Sequence, residues 1–445
     1  MKQVARKITN GNATARRNFF GRKLLLSFSA IPLCVPALVI ALGYVSFFGV
    51  NGVLNRIFGT DKAFLYTTFG VVIAQGFYNF PFVLGIMNDA IESLPKEQIN
   101  AAKLLGSGKV RTFFTVTLPC LSGSLAAACI PVFIFCFFSF MIILLFSPAG
   151  KSTLEVELYH SIRNTLNFKE GFYLSLMETL TTLALVFIYA IVIKKNQTAP
   201  CGINFADKKK KLSIIDLFVF IPILFFVVLF FICPLLCVFT SGKNAFLSLF
   251  SLSSFWQACF SSLWTGFLTA FFCTAIGFLY SLVIRLFKKQ GNILFQTIPF
   301  IPMAISSVAI SWVASVIFRT SNPLVLILLQ TFLYWPIAYR QIQSGMNQLS
   351  YETQNAAAIL SKNIFQSIFR VYLPSCRKNL ASSFGFCFAA SLGDATMPLI
   401  LSIKKFNTLA LYTYRLAGSY RFSAACACGA IVALLSALIF GGFKK

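Results

Sequence analysis

Long apolar runs recur along this chain with only short charged stretches between them. Many are near the ~20 residues that an α-helix needs to cross a bilayer. Only 11% of the 445 residues are charged, and 58% are apolar, whereas a soluble protein carries roughly 25% charged residues. A soluble enzyme, a secreted disulfide scaffold and a disordered chain are thereby excluded. The expectation is an all-α, polytopic membrane protein with about ten transmembrane helices. They are predicted near 24–49, 64–87, 121–146, 171–193, 213–239, 259–285, 295–318, 323–346, 379–403 and 422–441.

Basic residues orient these spans. With the N-terminus inside, 27 of the 38 Lys and Arg fall on inner segments and 11 on outer ones, which predicts both termini in the cytoplasm. The last outer loop, with Lys404, Lys405, Arg415 and Arg421, runs against the bias. The net charge of +26 therefore reads as membrane orientation and lipid contact, not as a nucleic-acid surface. The tract Lys208-Lys209-Lys210-Lys211 fits an inner linker and favours anionic lipid. The first 23 residues hold seven basic and no acidic side chains and lead into a span too long for a cleavable signal. Most of the thirteen Cys lie inside apolar runs, where they act as small hydrophobes. Cys426 and Cys428 alone do not make a metal site.

An internal repeat organises the chain. Phe77–Tyr159 aligns without a gap to Phe332–Tyr414 at an offset of 255, with 20 of 83 positions identical. The densest agreement, 10 of 26 positions, joins LPKEQINAAKLLGSGKVRTFFTVTLP (Leu94–Pro119) to LSYETQNAAAILSKNIFQSIFRVYLP (Leu349–Pro374). Paired residues include Glu97 with Glu352, Asn100 with Asn355, Ala101-Ala102 with Ala356-Ala357, and Leu118-Pro119 with Leu373-Pro374. Pro81 pairs with Pro336, and Tyr159 with Tyr414. The predicted organisation is a basic tail (1–23), a first half (24–200, about four helices, loop 88–120) and a second half (201–445, about six helices, loop 347–376). The halves are parallel, with both loops on the inner side.

The loop chemistry favours docking. Residues four apart share a helix face, so Ala101 and Leu105 present a low, smooth strip. Gly106 is placed to end the helix in a left-handed conformation, and Leu118-Pro119 to start the next one. PAGKST (Pro148–Thr153) and GSGKV (Gly106–Val110) lack the glycine spacing of a phosphate-binding loop. Any ATPase must then be another chain. With His160 as the only histidine, no Ser–His pair or His-rich metal site can be built. Asp394, in a Ser391-Leu-Gly-Asp run, and Glu178 are acids within spans, where an ionisable group points to function.

These loops resemble the E-A-A…G…L-P coupling loop of permease subunits from binding-protein-dependent ABC importers. Asn100, Asn355 and Ser361 depart from that pattern. The resemblance implies the type I importer permease fold and places Glu97, Asn100, Ala101, Ala102, Gly106, Leu118 and Pro119, with Glu352, Asn355, Ala356, Ala357, Ser361, Leu373 and Pro374, at the docking of two cytoplasmic ATPase subunits. It further implies a periplasmic or lipid-anchored substrate-binding protein, the bacterial cytoplasmic (inner) membrane, ATP held only by partners, and no catalysis or cofactor in this chain. Fused two-half permeases of this kind resemble the importers of thiamine and of ferric iron. GVVIAQGFYNFP (Gly70–Pro81), STLEVELYHSI (Ser152–Ile162) and TLALYTYRLAGSYR (Thr408–Arg421) look closer to the thiamine type, which usually has six spans per half. The short first half leaves helix exchange between the halves open. Asp394, Ser391, Tyr159 and Tyr414 are the candidate pathway residues. An ion-gradient-driven transporter is the rival of another class, though few intramembrane acids make proton coupling hard to build. A membrane-embedded enzyme lacks a catalytic polar cluster.

Overall fold

The computed structural model describes residues 35–197 and 221–443, apart from short breaks at 62, 93, 95, 149, 223, 287–294, 296–297, 319–321, 348 and 350, together with 17–18 and 210–211. Regular structure there is helical, save for a two-residue parallel pairing of Arg17–Asn18 with Lys210–Lys211. A helix satisfies its own backbone groups, which is what hydrocarbon demands. Seven segments are long and apolar enough to span a membrane: Ala37–Phe58, Thr68–Asn88, Val110–Phe137, Phe168–Ile188, Leu224–Phe250, Ser253–Leu286 and Phe422–Phe443. A pair bent by 85°, Ile298–Ala304 with Ser307–Phe318, makes an eighth. Pro323–Asn347 and Arg377–Gly393 complete the ten predicted positions. Residues 24–34 of the first predicted span lie outside the described residues.

The 255-residue repeat is a repeat of helices. The first half contains α1 (Ala37–Phe48), α2 (Val53–Phe58), α3 (Thr68–Glu92), α4 (Lys96–Leu104), α5 (Leu118–Phe137), α6 (Met141–Phe146), α7 (Leu154–Arg163) and α8 (Phe168–Gln197). Next come α9 (Cys233–Gly242) and α10 (Ser253–Leu286). Further along lie α11 (Ser307–Phe318), α12 (Pro323–Asn347), α13 (Tyr351–Leu360), α14 (Arg377–Gly393), α15 (Thr396–Leu401), α16 (Leu409–Gly418) and α17 (Phe422–Phe443). α3 and α12, α6 and α15, and α7 and α16 begin and end 255 residues apart.

Three expectations are corrected. The span predicted over 121–146 breaks after Phe137, and that predicted over 379–403 breaks at the matching place, after Gly393. The predicted helix start at Leu118-Pro119 lies instead inside a longer helix. Proline cannot bond the carbonyl four residues back, and its ring clashes there. The chain absorbs this with one wide turn, in which the Leu118 amide reaches back five residues to Phe113. The same turn precedes Leu373-Pro374, with Leu373 bonding Ile368, and Cys233-Pro234, with Cys233 bonding Val228.

The halves exchange helices. α1 lies in one core cluster with residues of α9 and α17. The Tyr44 hydroxyl donates to the Phe230 carbonyl at 2.6 Å. Glycine permits the close approach: a Cβ on Gly43 would sit 2.5 Å from the Pro234 oxygen, and one on Gly242 2.6 Å from the Ala427 nitrogen. Reciprocally, Ile298–Ala304 packs on α8 and α11 packs on α7.

Candidate functional site

The two loop helices carry matched apolar tips. Ile99 and Leu94 bury themselves against Met87, Ile91 and Leu121 at the ends of α3 and α5, which fixes α4 on the bundle. Asn100 and Ala101 stay exposed, and Leu104 and Leu105 are 89% and 87% exposed. In the second half Glu352 and Asn355 are exposed, Ala357 is buried, and Ile359 and Leu360 are 82% and 81% exposed. Leu104-Leu105 and Ile359-Leu360 occupy equivalent repeat positions. Glu97 and Ala356 stand on the same two helices.

The helix ends differ where the sequences differ. Gly106 has φ +77, as its position predicted. The Leu105 amide bonds the Ala101 carbonyl and the Ser107 amide the Ala102 carbonyl, each at 3.0 Å. Ser361 is not left-handed. There the Lys362 amide donates to the Gln366 side-chain oxygen at 2.9 Å, and the Ser367 hydroxyl donates to the Ala357 carbonyl at 3.2 Å. A side-chain cap thus replaces the glycine turn.

At the other end of the bundle the repeat brings predicted pathway residues together. Tyr159 and Tyr414 pack in one cluster with Phe140, Trp312, Val156 and Val308. The Phe140 and Tyr159 rings lie 5.1 Å apart, edge to face. Burial, and secondarily Tyr159, push the Tyr414 hydroxyl above its ordinary range. Arg163 of the first half donates to the Ile400 carbonyl at 2.6 Å, to the Leu399 carbonyl at 3.2 Å, and to the Ser402 hydroxyl. These groups close the C-terminal end of α15, where a cation is favoured.

Asp394 and Ser391 sit in a separate network. Thr269 and Ser391 both donate to the Gln330 side-chain oxygen, at 3.2 and 2.6 Å. The Gln330 amide donates to Asp394 at 3.0 Å. The other Asp394 oxygen accepts from the Thr396 and Met397 amides, at 2.9 and 3.3 Å, so it caps α15 at the break. Sequence reasoning missed Glu155, which faces Glu178 in the seam between the halves. Its position in a polar-looking loop gave no sign of burial.

Comparison with known proteins agrees with this architecture. Residues 8–196 match the family described as binding-protein-dependent transport system inner membrane component. With seven or eight membrane-length helices among the described residues, the chain has the build of a multi-pass membrane protein and is similar to that family over its first half. It is 24% identical to the thiamine transport system permease protein of Escherichia coli (strain K12), over 97% of this chain and 84% of that one. It is 25% identical to the protein of that description from Brucella abortus (strain 2308), over 92% and 77%. A shorter match, 34% over 113 residues, is to a sulfate transport system permease protein of Salmonella typhimurium and covers 25% of this chain.

Proposed function

We propose that this chain is the transmembrane subunit of an ATP-driven importer and carries thiamine or a related compound from a binding protein to the cytoplasm. The observation that carries the mechanism is the pair of apolar tips, Leu104-Leu105 and Ile359-Leu360, exposed at equivalent positions of the repeat. An exposed apolar pair on a helix end is what a partner's groove buries. Two tips ask for two partner subunits, and ATP belongs to those subunits. Both termini and both loop helices then lie in the cytoplasm, and the seam around Tyr159 and Tyr414 faces the binding protein. When ATP draws the two subunits together, α4 and α13 move with them. The rigid arms α3–α5 and α12–α14 pass that movement to the seam, which opens outward. Similarity to thiamine transport system permeases along nearly the whole chain supports the substrate.

Uptake of labelled thiamine and of labelled ferric iron, in cells carrying the chain with its partner subunits, tests this reading. Thiamine uptake that needs ATP supports it. Iron uptake alone replaces the substrate. Thiamine uptake driven by an ion gradient, or ATP hydrolysis by the purified chain alone, overturns the mechanism.

A further inference from the structure

Two carboxyl groups meet in the seam between the halves. Glu155 on α7 and Glu178 on α8 are both fully enclosed, and none of their four oxygens has a hydrogen-bond donor in bonding geometry. Each faces the other. Across the seam they face Ser306, which sits at the break before α11. The Ser306 oxygen accepts from the Val308 and Ala309 amides at 3.1 and 3.2 Å, so its hydroxyl hydrogen is the part turned toward the acids. Among the described residues, no basic side chain acts on either carboxyl. Two enclosed acids without a cation are not a structural ion pair. A permanent structural role is served better by apolar packing.

Pseudo-symmetry sharpens the point. The residue equivalent to Glu155 at the 255 offset is Ala410; α8 and α17 begin 254 residues apart, which sets Val432 at the place of Glu178, and both Ala410 and Val432 are buried among apolar neighbours. The matching positions of the other half are thus apolar, and the two acids are particular to this side of the seam. Glu178 stands ten residues into α8, roughly 15 Å along its axis, which is about half the bilayer's hydrocarbon thickness. Tyr159 lies one turn beyond Glu155 on the same helix face. It packs with Tyr414 and with Trp312, whose buried indole N–H also lacks a partner. Aromatic faces and carboxylates together are the environment that stabilises a quaternary or ring-borne positive charge in a dry site.

We propose that Glu155 and Glu178, with the rings of Tyr159, Tyr414 and Trp312, form the site in the seam that receives the positively charged ring of the transported solute. The proposal rests on the importer reading above, because thiamine carries a permanently cationic thiazolium ring. In the closed seam the two acids are enclosed against Ser306. Parting of α7 and α8 from α11 uncovers them toward the pathway, where they hold the cation.

The test uses the full chain assembled with its partners in proteoliposomes, with thiamine as the probe. In E155Q/E178Q, uptake is expected to fall at least tenfold, while binding-protein-stimulated ATP hydrolysis stays within twofold of wild type. Uptake within twofold of wild type overturns the proposal. A measurement on the wild type alone covers failure of the variant to assemble. A hydrophobic carbodiimide should modify Glu155 or Glu178, read by mass spectrometry, and thiamine should slow that modification at least threefold where an uncharged pyrimidine does not. Equal modification with and without thiamine, or equal protection by the uncharged compound, overturns the site. If the wild type carries no thiamine, the substrate reading fails separately. Protection by choline, a quaternary cation, then decides the site, and its absence overturns it.

Discussion

Truncating the loop tips tests the docking surface with the least risk to the fold. Leu104 and Leu105 are 89% and 87% exposed, and Ile359 and Leu360 82% and 81%, so Leu→Ala and Ile→Ala changes there remove almost no internal packing. Each truncation deletes three carbons, worth about 0.8 kcal/mol apiece when reburied against a partner. For a pair of tip residues incompletely covered at the rim, the loss is about 3–4 kcal/mol. That is two to three orders of magnitude in affinity. The assay is equilibrium binding of the purified ATPase subunit to the detergent-solubilised chain, with L104A/L105A and I359A/L360A measured separately and combined. Each double variant should abolish one of two binding events, and the quadruple variant both. The thermal midpoint of the permease itself should not move. Affinities within threefold of wild type for both double variants would refute the assignment of these tips to docking, and with it the argument from matched exposure.

Four other outcomes follow from local geometry. Gly106→Ala should cost about 1–2 kcal/mol in local stability because φ is +77, read as faster protease nicking within 88–120, while Ser361→Gly stays near wild type. Gly43→Ala places a methyl 2.5 Å from the Pro234 carbonyl oxygen and should lower stability by about 1–3 kcal/mol. Gly85→Ala, with open space around it, should not, and a thermal melt in detergent separates the two. Asp394→Asn keeps an acceptor for the Thr396 and Met397 amides and should retain uptake, whereas Asp394→Leu loses the cap and about 1–2 kcal/mol; loss of uptake in a stable Asp394→Asn protein would assign Asp394 to the pathway instead. Arg163→Gln withdraws the charge from the Ile400 and Leu399 carbonyls, at about 0.3–2 kcal/mol, and should raise the basal ATP hydrolysis of the assembled complex by loosening the closed seam.

Legibility followed range along the chain. Spans, repeat and loop helices were readable because each depends on local pattern: apolar length, matched spacing, and a glycine where φ must be positive. The breaks after Phe137 and Gly393 were not readable. Both fall within apolar sequence, and only the hydrogen bonds around Asp394 reveal that one is a capped helix start. The wide turns before Pro119 and Pro374 were misread as helix starts for a similar reason. Proline signals a missing hydrogen bond, but whether the helix begins there or widens depends on the turn before it. Asp394 and Ser391 were singled out as pathway candidates, but their hydrogen-bond partners Gln330 and Thr269, which come from helices more than sixty residues away, were not readable. Glu155 was invisible because its burial is created by the other half.

Helix exchange gives the asymmetric seam its meaning. α1 is held between α9 and α17, and Ile298–Ala304 with α11 is held against α8 and α7. Neither half can move away as a free body, since each grips a helix of the other. Under the proposed coupling, motion delivered at α4 and α13 is resolved inside the seam, at contacts that can part without breaking either core. The Gly43–Pro234 and Gly242–Ala427 contacts are backbone against backbone and resist separation. The contact between Glu155, Glu178 and Ser306 is of the opposite kind. Among the described residues its two acids have no donor in bonding geometry, so uncovering them relieves an unfavourable burial. The stiff contacts join α1, α9 and α17, and the strained one lies on α7, α8 and the turn before α11. Opening is thus directed to the side that carries the carboxyls, which is where a cation passing between the halves would meet them.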